Sequence, residues 1–134
     1  MTTKWIKPFF IIAALYDGIL GLAFLFFALP IFNLFGVAPP NHVGYIQFPA
    51  LLLLIFAVMF FRIAADPIGN RALIPYGIAL KVAYSGSVFW HQITGGIPFM
   101  WIPWAWADVV FLILFIVALR QTVQPFVSTQ NPTS

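Results

Sequence analysis

The chain contains no cysteine. That excludes a disulfide framework, thiolate nucleophiles and cysteine-ligated metal. Charge is nearly as scarce. Only 7% of the 134 residues are charged, and the acidic ones number 3, all aspartates. Soluble domains carry roughly a quarter of their residues as charges, and a chain this short has too much surface to do without them. The composition therefore argues against a water-soluble globule. The net charge of +3 and pI near 9.6 build no basic patch, because the 6 basic residues are scattered. No nucleic-acid partner is expected. Period-2 alternation is missing as well, so strands are not expected.

What the chain does have is apolar length. It is 63% hydrophobic with a mean hydropathy of +1.02. Four apolar runs stand out, at about Phe9 to Leu29, Phe48 to Ile63, Ala72 to Trp90 and Ile102 to Leu119. Each approaches the roughly 20 residues that cross about 30 Å of hydrocarbon. Pro30 should stop the first. Pro49 falls in the first turn of the second, where a missing N–H costs little. Lys4 and Lys7 ahead of the first run resemble a signal peptide. The run is too long for one and contains Asp17, so a retained helix is expected. The connections are short, which makes consecutive helices antiparallel neighbours. The expected fold is all-α, one integral membrane up-down four-helix bundle over residues 1–120. A polar cytoplasmic tail at 121–134 should follow it, mobile at its end.

Loop charges predict orientation. Lys4, Lys7, Arg62, Arg71 and Arg120 flank one end of the runs. The two opposite loops, GVAPPNHVGYIQ and HQITGGIP, have no Lys or Arg. By the positive-inside rule both termini are cytoplasmic, in a bacterial inner (plasma) membrane. Trp90, Trp101, Trp104 and Trp106 then read as an outer aromatic belt anchored in lipid. In RIAADPIGNR, a tight turn is expected in which Asp66 caps or pairs with Arg62 or Arg71.

Three ionisable residues interrupt the apolar runs: Asp17, Lys81 and Asp108. A charge at mid-membrane costs at least about 2.5–3.5 kcal/mol on insertion scales, so such residues pair or function. At a rise of about 1.5 Å per residue, Asp17 and Lys81 are nearly level and Asp108 lies about one turn further out. Lys81, Ser85, Val88 and Gln92 share one stripe of the third helix, with Tyr84 beside it. Asp17 shares its face with Ala14, Gly21 and Ala28, small residues that let another helix approach. A buried cluster of Asp17, Lys81 and Asp108 is expected, with Tyr84, Ser85 and Gln92 near it. It acts either as a structural ion pair or as the polar lining of a ligand cavity. The two histidines, His42 and His91, lie near the uncharged end without a carboxylate pair, so no metal or haem is expected. GGIP lacks the Lys-Ser/Thr of a phosphate loop.

The stretches YDGILGLAFLF, FG followed by PP, ADPIGNRALIPYGIALK, TGGIP and WADVVFLILF together resemble the DoxX-like group of small four-helix membrane proteins. The resemblance spans Tyr16 to Arg120. It implies the bundle and a link to membrane redox complexes such as quinol oxidase or thiosulfate:quinone oxidoreductase systems. It carries over no catalytic residue. The leading functional expectation is a non-catalytic accessory or scaffold subunit, with the bilayer, other membrane subunits or a second copy as partners. One alternative is a binder or carrier of a small lipophilic or quinone-like molecule at the charge cluster. Another is a membrane enzyme using Asp17 or Asp108 as acid or base. No cofactor is expected beyond a quinone or lipid.

Overall fold

A computed structural model describes residues 3–123. The described residues form four α-helices and no strand: α1 Ile6–Leu34, α2 Gly44–Ala65, α3 Ile74–Thr94 and α4 Ile102–Gln121. Short 3-10 turns at Arg71–Leu73 and Phe99–Trp101 lead into α3 and α4. All four helices are long and apolar enough to cross a membrane. The expected tail divides. Gln121 ends α4 and Thr122 is buried against it, donating from Oγ1 to the carbonyl of Ala118 at 2.9 Å. The remainder of the tail, 124–134, lies outside the described residues.

Two proline expectations change. Pro30 does not stop α1. It lacks the N–H that would bond the carbonyl of Phe26, and its ring crowds that carbonyl. The chain absorbs this as a kink at Phe27 (φ −129°, ψ 28°), and the helix resumes through Leu34. Pro49 falls in the second turn of α2, because α2 begins at Gly44.

The helices pair as antiparallel hairpins, α1 with α2 and α3 with α4. Small residues set the first pairing. A Cβ on Gly21 would stand 2.9 Å from the backbone oxygen of Ala50 and 3.2 Å from the Leu53 Cβ. A Cβ on Gly18 would meet the Ala57 Cβ at an ordinary 3.5 Å. The face of Ala14, Asp17, Gly21 and Ala28 is buried as its spacing predicts.

Rings set the packing between hairpins. At the end of the bundle that carries the chain termini, Phe10, Phe60 and Phe115 are fully buried. Phe10 stacks on Phe115 with centroids 5.2 Å apart, and Phe60 lies 5.1 Å from Phe115. Phe9 of α1 reaches Phe111 of α4 at 5.8 Å. This core holds α1, α2 and α4 around Gly77 of α3, whose Cβ would overlap the Phe60 ring at 2.7 Å. A second core of Phe24, Phe32, Ala50 and Met100 closes the opposite end. The charged residues lie between the two.

Polar contacts tie the terminal end. Trp5 donates from Nε1 to Oε1 of Gln121 at 2.8 Å, joining the start of α1 to the end of α4. Asp66 accepts from the Gly69 N–H at 3.0 Å, which makes the expected turn, but among the described residues it pairs with neither arginine. Arg71 instead caps α4, donating from Nη2 to the Leu119 carbonyl at 2.8 Å. A cation there satisfies carbonyls that a helix end leaves unpaired.

The two glycines of α1 should respond oppositely to alanine. Gly18→Ala should hold or raise the melting temperature in detergent, since it gains helix propensity of about 1 kcal/mol without a clash. Gly21→Ala should lose about 1–3 kcal/mol, because backbone must move. Equal effects in the two variants would refute the close approach at Gly21.

Candidate functional site

Lys81 is 1% exposed, Asp17 1% and Asp108 6%. At that burial water cannot serve the charges, so each needs a protein partner. Lys81 Nζ stands 2.9 Å from Asp17 Oδ1, 3.1 Å from Asp17 Oδ2 and 3.1 Å from Asp108 Oδ1. An ammonium has three donors. One cation on α3 therefore joins α1 and α4 across the bundle. Three rings surround the same nitrogen, with centroids at 5.1 Å for Phe111, 5.3 Å for Tyr16 and 5.9 Å for Phe60. Their faces favour the charge electrostatically.

The helix stripe explains why these groups meet. Ile74, Gly77, Lys81, Ser85 and Val88 are the buried residues of α3, spaced three and four apart. Asp17 lies on the small-residue face of α1. Asp108 follows Trp101, Trp104 and Ala105 at spacings of seven, four and three, one face of α4 and the turn before it.

Of the six expected site residues, the structure brings together Asp17, Lys81 and Asp108, with Tyr84 close by. Ser85 is buried, but its hydroxyl donates back to the Lys81 carbonyl at 2.6 Å. It satisfies its own helix and contacts no carboxylate. Gln92 does not join the cluster. It falls in the last turn of α3, where residues 90–94 are all exposed.

Next to the charges is a cavity of about 290 Å³. Its walls come from all four helices. Leu20 and Phe24 of α1, Ala50 and Leu53 of α2, and Leu80 of α3 are apolar. Asp17, Asp108, Tyr16 and Tyr84 also line it. Pro49 and Leu52 line it from the exposed side of α2, so the cavity reaches the flank of the bundle. The Tyr84 hydroxyl donates to the Trp101 carbonyl at 2.9 Å. The Tyr16 hydroxyl is buried with no hydrogen-bond partner among the described residues.

Trp101 and Trp104 do not point outward as lipid anchors would. Both are half-buried cavity walls, and the Trp101 ring stacks on Phe24 at 5.7 Å. Trp90 and Trp106, 62% and 60% exposed, keep the outward position expected of all four. The signal was present in the spacing of Trp101 and Trp104 from Asp108. Tyr16 was missed for a similar reason: it, Leu20 and Phe24 run along one face of α1 beside Asp17. His42 and His91 are exposed. The Nδ1 of His42 accepts from the Gly44 N–H at 2.9 Å.

Both oxygens of Asp17 contact Lys81, and one of Asp108 does. Asp17 is therefore the main partner. Lys81→Met should lower the melting temperature, leaving a buried carboxylate without its cation. Breaking a buried pair costs about 3–5 kcal/mol in proteins generally, and less where a helix in lipid finds other partners. Adding Asp17→Asn should recover more of that loss than adding Asp108→Asn. A Lys81→Met protein as stable as the parent, or larger recovery from Asp108→Asn, would overturn this ranking.

Compared with known proteins, the chain matches no family model, no curated protein and no solved structure.

Proposed function

We propose that the chain is an integral membrane protein that binds a small lipophilic molecule between its two helical hairpins. The observation that carries this reading is the cavity of about 290 Å³, almost wholly apolar in surface, with Asp17 and Asp108 in its lining. Binding pockets generally combine such walls with a few convergent polar groups. Here those groups are Asp108, Asp17, Tyr16 and Tyr84. An edge at Pro49 and Leu52, on the bundle's apolar flank, suits entry from the bilayer rather than from water.

Lys81 then has the structural role, with its three donors spent on two carboxylates. The ligand-facing role falls to the aspartates and tyrosines that line the space. This moves the preference from an accessory subunit to a binder or carrier, since a scaffold needs no cavity beside its charges. Kinship with the DoxX-like proteins belongs to this proposal, carried by the sequence stretches quoted above.

The proposed orientation puts both termini, the Asp66–Arg71 turn and all flanking basic residues on the cytoplasmic side of an inner membrane. Exposed residues on opposite loops test it. In intact cells a membrane-impermeant maleimide should label Asn41→Cys and spare Ile68→Cys. Labelling of Ile68→Cys with Asn41→Cys protected would invert the topology.

Binding is tested by filling the cavity. Solvent extracts of the purified parent protein should contain a small molecule, by mass spectrometry, that is depleted several-fold in Leu80→Trp. The variant should keep the parent's melting temperature to within a few degrees. Identical extracts from parent and variant, bulk phospholipid included, would remove the binding reading.

A further inference from the structure

We propose that the molecule held in this cavity is a small amphiphile with a cationic, hydrogen-bond-donating head, an alkyl or arylalkyl ammonium, anchored on Asp108. The proposal rests on the binding reading above and adds the ligand's charge and its anchor.

A count of donors and acceptors at the polar end leads there. Lys81 directs its nitrogen to both oxygens of Asp17 and to Oδ1 of Asp108. Asp108 Oδ2 makes no hydrogen bond among the described residues, although Asp108 is 6% exposed and forms part of the cavity wall. That oxygen is not fully enclosed by protein, so a donor in the cavity can reach it. Tyr16 also lines the cavity, but its hydroxyl is enclosed by protein and unpartnered among the described residues, so the cavity meets its ring. The Tyr84 hydroxyl already donates its proton to the Trp101 carbonyl. The end of the cavity thus offers an unfilled acceptor on Asp108 and no free side-chain donor among the described residues.

Charge points the same way. With both carboxylates ionised, one ammonium leaves one formal negative charge, which a bound monocation balances as a proton otherwise would. An anionic head would meet that charge directly. A head made only of carbonyl acceptors would set its oxygen against Asp108 with no free donor to compensate. An ammonium supplies a donor to Asp108, and charge-assisted bonds are about twice as strong as neutral ones. The rings of Tyr16, Tyr84, Trp101 and Trp104 border the same space, and aromatic faces attract cations. The remaining walls, Leu20, Leu53 and Leu80 among them, suit an apolar tail. The volume limits that tail to a ring or a short chain, at the small end of ligand pockets.

Phenylbutylamine and phenylbutanol share a shape and differ in the charge of the head at neutral pH. Isothermal titration of each into the purified full chain in an uncharged detergent separates the claims. The amine should bind about ten-fold or more tightly than the alcohol, the ratio expected of one charge-assisted bond. Asp108→Asn should reduce that ratio to near one. Alcohol binding equal to or tighter than amine binding in the parent overturns the cationic head and leaves the cavity reading standing. That comparison needs no variant to fold. A preference that survives in Asp108→Asn overturns the anchor. If neither compound gives saturable heat on the parent, and Leu80→Trp behaves identically, the binding reading fails with it.

Discussion

One ammonium group holds the middle of this molecule together. Lys81 Nζ lies within 3.1 Å of three carboxylate oxygens on two other helices. Among the described residues no other cation pairs with either carboxylate. The pairing constrains three helices at once. It requires α1 and α4 to present their aspartates to the same point on α3, which fixes the rotation of each helix about its axis. Charged groups in an apolar setting are poor sources of net stability but strong constraints on geometry.

The rest of the packing is arranged around that constraint. Beyond the charges toward the termini, phenylalanines fill the space between hairpins, and Gly77 makes room for the Phe60 ring. Within the α1–α2 hairpin the backbones approach closely at Gly21, so that pair needs little side-chain filling. Close packing in one hairpin and ring-mediated packing between hairpins leave unequal spacings. The gap opens where the aromatic core ends and the charged layer begins. It persists until the Phe24–Trp101 stack closes the other end. The cavity follows from this mismatch of packing modes.

The same layer separates two roles that look alike in the sequence. Lys81 has no donor left over and is enclosed by three rings, so it serves as a strut. Asp108 touches that strut with one oxygen and borders the cavity with the same side chain. A single charged cluster can thus hold the bundle and still present an unfilled acceptor. Neither role needs a cofactor, and both follow from counting hydrogen bonds at one level of the bundle.

Apolar length and the scarcity of charge were enough to establish four helices and no strands among the described residues. Local spacing was enough to place Lys81, Ser85 and Val88 on one stripe and to bury the small-residue face around Asp17. Those features depend on composition and helical period, which are local. Helix ends were less legible: Pro30 kinks α1 instead of ending it, because neighbouring turns can absorb one lost hydrogen bond. The outward reading of Trp101 and Trp104 failed because hydrophobicity alone does not say whether a ring faces lipid or a gap between helices. Gln92 continued the Lys81 stripe, but only the packing shows that the last turn of α3 is left exposed. The cavity was beyond the sequence altogether, since a void is set by the distances between helices far apart in the chain. The sequence by itself determined which residues are too costly to leave unpaired. The tertiary structure alone decided which of their atoms are paired, because that depends on where three separate helices meet.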